Sequence, residues 1–382
     1  MFSKQHYINW ISFTAIICIN QIFLVKYLSR FTDYFIAGSL IFTFIYFAIL
    51  YFNKNIDSES SIKDKKYYYI LTIIFLALLS FLVFLTPESP NVNRINAIKV
   101  WLENLNDGIY PYLSRENPSS FPFLFILVLP LYYLSVLDIL SVIGIGIFLF
   151  ITIRYSLSKK EIFTRTALIC LALPFYYEVI VRSELTFNIG ILILLTFLTY
   201  KFVAAEKLNG TFYLFSIIWG LALSTRMIAF AVLLIFLLFH FRQRLFNLYL
   251  FGSLAVLVFF LTNLPFFLWY PELFILDGPF AVQSTYMPFS IGMVFIIIMI
   301  ITGWTLANLQ ELFFTTGIIL LLLSSVSFII AVLQFGFENV LFNSYFDIAY
   351  FIFSIPFFIL SIKESRVDKY LGKVLVLICF GK

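Results

Sequence analysis

Ionisable residues lying in or beside long apolar runs need a chemical reason, because charge at membrane depth is costly and defaults to a functional role. Six stand out: Asp138, Glu178, Arg182, Glu184, Arg226 and Asp347. Glu178, Arg182 and Glu184 flank a very short turn between two apolar runs. Arg226 follows Ser224-Thr225, and Asp347 lies near the start of a late run. One reading is structural: Arg182 pairs with Glu178 or Glu184, and Arg226 with Asp347 or Asp138, holding a bundle together. The other is a site in which these guanidinium groups hold the phosphate of a lipid carrier, whose oxygens a guanidinium matches in a bidentate way.

The segment 87–119 holds most of the remaining unusual polar residues. It runs Thr86-Pro87-Glu88-Ser89-Pro90-Asn91-Val92-Asn93-Arg94 into an expected short helix over 94–105, then Asn106-Asp107-Gly108-Ile109-Tyr110-Pro111-Tyr112. Loops of this length in compact proteins are usually functional or disordered. Trp101, Tyr110 and Tyr112 argue for a helix lying on the membrane face.

Several chemistries find no support. The chain has no Gly-rich phosphate loop, nucleophile elbow or metal-ligand cluster, so no metal site is assigned. No cofactor is required, and a role for a divalent metal stays open. Cys18, Cys170 and Cys379 lie within apolar runs and give neither a disulfide framework nor metal spacing. His6 and His240 read as interfacial residues near span ends. The net charge of +5 does not indicate a nucleic-acid partner, because the basic residues sit in short loops between apolar runs and read as topology signals.

The elements that must position these residues follow from composition. Hydrophobic types make up 62% of the chain and charged types 12%, against about 25% charged in an average soluble domain. Apolar runs near the roughly 20 residues of a membrane helix recur from end to end. Lipid offers no hydrogen-bond partners, so each run must be a helix or part of a closed barrel. The absence of strict alternation argues against the barrel. The expected fold class is therefore all-α: a polytopic transmembrane helical bundle of about 12 spans, one integral-membrane domain over 1–382.

With the first segment placed inside, the inside loops carry seventeen Lys and Arg residues and the outside segments seven. That is the bias of the positive-inside rule, and it places both termini in the cytoplasm. The first apolar run reads as a retained helix, lacking a small-residue cleavage site. The same layout makes 87–119 a long extracytoplasmic loop. Pro122 and Pro130 are expected to interrupt the next stretch, so 120–134 reads as a re-entrant dip into the outer leaflet, followed by a true span over 135–154. A cavity under the loop follows as an expectation. Residues 211–241 are barely long enough for two crossings and read as a broken helix pair meeting at Ser224-Thr225-Arg226, a common way to build a site at depth.

The region 91–134 resembles the GT-C class of membrane glycosyltransferases, mannosyltransferase-like proteins that use polyprenyl-phosphate sugars. The resemblance rests on Asn91-Val92-Asn93-Arg94, Gly108-Ile109-Tyr110-Pro111-Tyr112, Phe121-Pro122-Phe123-Leu124 and Leu129-Pro130-Leu131. Weaker landmarks are Leu173-Pro174 with Asn188, and Gly220-Leu221-Ala222 leading to Ser224-Thr225-Arg226. It covers residues 80–270. Two departures stand against it. Asn91 occupies the place of the family's usual acidic residue, and an amide cannot accept the proton of a sugar hydroxyl. Two extra helices precede the span that leads into the loop.

The resemblance implies sugar transfer on the outer face of the membrane, from a lipid-linked sugar donor to an envelope glycan or lipid acceptor. Glu88 or Glu103 would replace the missing base, with Asp107 and Glu116 the other carboxylates nearby. Arg226, with Arg182 or Arg94, would hold the departing phosphate. Tyr110, Tyr112 and Trp101 would stack on a sugar ring. Asn91, Asp107 and Glu184 complete the expected substrate-binding set. The alternatives are a transporter, flippase or polymerase of cell-envelope glycans, and a non-catalytic member of the same scaffold. The expected partners are the donor, the acceptor and membrane lipids, with no nucleic acid. The expected location is a bacterial cytoplasmic (inner) membrane.

Overall fold

The computed structural model describes residues 4–53, 65–87, 94–113, 118–343 and 345–363. Among these residues no strand forms. The helices are α1 Lys4–Leu28, α2 Phe35–Asn53, α3 Lys66–Leu85, α4 Arg94–Asn106, α5 Pro122–Tyr133, α6 Leu140–Tyr155, α7 Lys159–Cys170, α8 Leu173–Ile180 and α9 Leu185–Phe202. They continue with α10 Gly210–Leu223, α11 Ile228–Phe241, α12 Leu245–Trp269, α13 Pro271–Leu276, α14 Pro279–Ser284, α15 Phe289–Thr305, α16 Leu309–Phe335, α17 Phe337–Phe342 and α18 Ile355–Ser361. Two 3-10 turns, Leu137–Ile139 and Ile348–Phe353, lead into α6 and towards α18.

Six helices among the described residues are long and apolar enough to cross a membrane, or up to eight if each of two bent pairs counts as one span. This is compatible with an integral membrane protein. Five further apolar helices have 10–17 residues. They fall short of the roughly 20 residues that a full crossing needs, which is why fewer spans meet this test than the twelve expected from hydropathy.

The most enclosed long helices are α6, with its leading turn, and α9. They meet backbone to backbone at Gly144 and Gly190. A Cβ on Gly190 would lie 2.8 Å from the Gly144 carbonyl oxygen, and one on Gly144 would run into the Thr186 backbone. The contact is continued by Ser141, whose hydroxyl donates to the carbonyls of Glu178 (2.9 Å) and Ser183.

The α7–α8 pair bends by 49° at Leu171-Ala172. Such a break leaves backbone groups without helical partners, and three side chains take them. Asn20 of α1 accepts from the Leu173 N–H at 2.7 Å and donates to the Tyr46 hydroxyl at 2.8 Å. Tyr46 of α2 donates to the Leu171 carbonyl at 3.0 Å. Tyr176 donates to the Cys170 carbonyl at 2.7 Å. This network fixes where α8, and with it Glu178, points.

The stretch over 120–134 differs from its expectation. α5 runs unbroken from Pro122 to Tyr133. Pro122 sits in its first turn, where a missing N–H costs nothing, and Pro130 lies inside the helix without ending it.

Two further sets of polar contacts join distant elements. One joins Lys4 to Glu311 at 2.7 Å, Asn9 to the Lys363 carbonyl, Arg165 to the Ile362 and Leu360 carbonyls, Lys65 to the Ile153 carbonyl and Asn247 to the Ala205 carbonyl. The other joins Lys26 to the Asn343 carbonyl, Arg30 to the Phe342 carbonyl, Arg182 to the Val83 and Thr86 carbonyls, and the charged groups described next.

Candidate functional site

The site begins with Arg94, the first residue of α4. Ile95, Ile98, Trp101 and Leu102 recur at helical spacing and bury one face of α4. Trp101 stacks on Phe125 of α5, with ring centroids 4.2 Å apart and planes 11° apart. Anchored in this way, α4 directs Arg94 into the bundle. Its Nη1 donates to the Ser183 hydroxyl at 2.7 Å and lies 3.5 Å from Glu178 Oε2, while Nη2 pairs with Asp347. Burial by itself lowers the pKa of this guanidinium. Glu178 and Glu184 outweigh that and hold it above its ordinary range, so Arg94 is a fixed cation.

A second ion pair lies beside the first. Arg226, in the turn between α10 and α11, pairs through Nη2 with Glu184 and donates to the Ser119 hydroxyl at 2.9 Å. Ser183, which accepts from Arg94, is the chain neighbour of Glu184, which sets the two pairs side by side as one cluster. Thr225 donates to Asn188 Oδ1 at 3.2 Å. The N-terminus of α5 docks on the same turn, with the Phe121 and Phe123 N–H groups donating to the Thr225 and Ser224 carbonyls at 3.0 Å. Gln283 of α14 closes the arrangement. It accepts from the Met227 N–H at 2.8 Å and donates to the Ser119 carbonyl at 2.6 Å.

Arg182 and Asp138 form an adjoining group. Arg182 Nη1 lies 3.8 Å from Asp138 Oδ2, and Lys99 of α4 lies 3.9 Å from Asp138 Oδ1. Arg182 is held at φ 53°, a left-handed conformation that few non-glycine residues adopt. Strain of this kind clusters at functional sites.

The expected pairing is corrected throughout. Arg226 meets Glu184 in place of Asp347 or Asp138, and Arg182 meets Asp138 in place of Glu178 or Glu184. Arg94 takes Asp347 and Glu178, and Arg226 takes Glu184, which leaves Arg182 with Asp138.

The structure gathers Arg94, Glu184 and Arg226 from the sequence-derived site, with Arg182 alongside. Glu103 and Asp107 are not brought in: both are exposed, and Glu103 lies nine residues beyond Arg94, roughly 13 Å along the axis. Glu88, Asn91 and Glu116 lie outside the described residues. Tyr110 and Tyr112 are buried in an aromatic core with Trp101. Tyr112 donates to the Ser120 carbonyl at 2.9 Å and lies edge-on to Trp101, Phe125 and Phe274. Tyr110 packs against Trp269 and Tyr270.

Sequence reasoning missed Ser119, Ser141, Ser183 and Gln283. The signal available was small polar residues adjoining costly charges, which is where a buried ion finds its hydrogen bonds. No family model, curated protein or solved structure matches the chain.

Proposed function

We propose that this protein is a twelve-pass membrane glycosyltransferase of the GT-C kind. It moves a sugar from a polyprenyl phosphate to an envelope glycan or lipid acceptor on the outer face of a bacterial cytoplasmic membrane. The observation that carries this reading is the convergence of Arg94 from α4 with Glu178, Glu184, Arg226 and Asp347 from the bundle.

The two sets of polar contacts support the membrane layout. The first set contains Lys4, Lys65, Arg165, Ala205, Glu311 and Lys363, which belong to or adjoin the segments that the charge bias assigns to the cytoplasm. The second contains the Arg94 cluster. On this reading the chain passes between the sets twelve times, with α7–α8 and the Ile348–Ser361 stretch taken as single passes. Both ends of α5 lie by the second set, through Phe121 and through Asp138 just beyond it, which supports a helix that dips and returns.

In the reaction the acceptor hydroxyl oxygen attacks the anomeric carbon, and its proton passes to a carboxylate. The bond from that carbon to the phosphate oxygen breaks, and the polyprenyl phosphate leaves with the bonding electrons. Of the three carboxylates in the cluster we assign this role to Glu178, which meets its guanidinium only at 3.5 Å and keeps Oε1 without a partner. Glu88, in the segment just before Arg94, is the other candidate, while Glu103 is too far along α4.

The test is incubation of the purified protein in lipid vesicles with labelled polyprenyl-phosphate hexoses and a panel of acceptors. The expected result is a labelled product that falls about 100-fold or more in Glu178→Gln or Glu88→Gln and persists in Glu103→Gln. Loss in Glu103→Gln alone would return the base to α4. One observation favours a non-catalytic scaffold: both guanidinium groups are already engaged by carboxylates. Absence of product from every donor, with normal melting, would select that second reading.

A further inference from the structure

The cluster contains more hydrogen-bonding capacity than its own members use. Glu184 spends Oε1 on Arg226, and Oε2 has no partner. Glu178 turns Oε2 towards Arg94, and Oε1 has no partner. Asn188 receives Thr225 on Oδ1, and its Nδ2 has no partner. Arg226 uses Nη2, and its Nε has no partner. All four side chains are more than nine-tenths buried. Glu184 and Asn188 stand one turn apart on the same face at the start of α9, and Thr225-Arg226 reaches both from the α10–α11 turn. Buried polar atoms are almost always satisfied, and exceptions call for a ligand, an ion or a water.

The chemistry of these four atoms selects among ligands. Two are carboxylate oxygens, which only accept, and two are N–H groups, which only donate. Both guanidinium groups are already matched by carboxylates, Arg94 by Asp347 and Glu178 and Arg226 by Glu184. A phosphate would set its oxygens against Glu178 Oε1 and Glu184 Oε2, where like charges repel. Hydroxyl groups fit: they donate to the carboxylates and accept from the amide and the guanidinium.

We propose that Glu178, Glu184, Asn188 and Arg226 form a recognition subsite for the hydroxyl groups of a neutral hexose, with the phosphate of the lipid carrier held elsewhere. This rests on the transferase reading for its biological sense, but it can be tested by binding alone. Arg226, expected from the resemblance to hold phosphate, becomes a sugar ligand already neutralised by Glu184.

The test uses the full chain in lipid nanodiscs with a panel of methyl hexosides, followed by saturation-transfer nuclear magnetic resonance. The expected result is binding of at least one hexoside, undisturbed by a tenfold excess of inorganic phosphate. A deoxy analogue lacking the recognised hydroxyl should bind far more weakly, because a site built to hydrogen-bond a hydroxyl rejects its absence strongly. Glu178→Gln and Asn188→Ala should each weaken binding about tenfold or more. If Glu178→Gln fails to fold, Asn188→Ala and Asn188→Asp carry the test. The proposal is overturned if no hexoside of the panel binds, if phosphate displaces it, or if the Asn188 variants bind as the parent does. Hexoside binding without sugar transfer would keep the subsite and remove the transferase. Transfer with an unaltered donor KM in Asn188→Ala would do the reverse.

Discussion

Arg226 and Glu184 form an ion pair in which neither partner is more than a few per cent exposed. Removing one partner of such a pair strands the other charge, whereas replacing both with apolar groups of similar volume is often neutral or stabilising. Arg226→Ala should therefore cost about 3–5 kcal/mol of stability, read as a lowered melting temperature in detergent. The double variant Arg226→Met with Glu184→Leu should melt near the parent yet lose hexoside binding. A double variant that kept binding would show that the pair only holds helices together. At this scale the sequence reveals which residues are costly, because charge within an apolar run is visible in any window. It does not reveal the pairing. Glu178, Asp347 and Arg94 come from three separate elements, and nothing in local spacing joins residue 94 to residue 347. The hydroxyls of Ser119 and Ser183 were illegible for the same reason: each matters only because of what the fold sets against it.

The break between α7 and α8 shows how an element positions the site. Asn20 satisfies the Leu173 N–H, and Tyr46 the Leu171 carbonyl. Leaving a buried backbone group unmade costs about 1–3 kcal/mol. Asn20→Leu should lower stability by that amount and loosen α8, seen as faster amide exchange over Leu173–Ile180; Tyr46→Phe should do so to a smaller extent. Unchanged exchange in Asn20→Leu would mean that α8 is held by packing alone. Gly190→Ala tests the neighbouring contact. Its methyl group has no room against the Gly144 carbonyl, so α6 and α9 must separate and the Ser141 bonds to the Glu178 and Ser183 carbonyls must lengthen. A loss of about 1–3 kcal/mol is expected, measured by thermal melting. The short helix expected over 94–105 lies close to α4, although the segment shows no clear apolar period in the sequence. Proline chemistry misjudged only the interruption expected within 120–134: Pro122 is a first-turn proline, which a helix accepts, and Pro130 sits inside α5 without ending it.

For the whole molecule, composition pointed to a membrane chain, since one this poor in charge cannot coat a soluble globule, and run length with the lack of strict alternation carried the all-helical class. The number of passes was harder to read. Helices α10 and α11 have fourteen residues each, about 21 Å of rise against a hydrocarbon core near 30 Å, so length and hydropathy disagree on whether each crosses. Their charged and polar ends argue for a pass: Arg226 joins the Arg94 cluster at one end, while His240 meets the Val203 carbonyl at the other. A twelve-pass arrangement makes a sidedness prediction. With the native cysteines Cys18, Cys170 and Cys379 replaced, a cysteine at Asp107 should react with a membrane-impermeant maleimide in intact cells. One at Lys207, an exposed residue beside the Val203 end, should react only after permeabilisation. Opposite labelling of the two positions supports an odd number of crossings between them and places the Arg94 cluster on the outer face. Labelling of both from the same side would require an even number of passes between residues 107 and 207. The charged cluster and the basic loops would then share a compartment, and a donor presented on the outer leaflet could not reach Arg94.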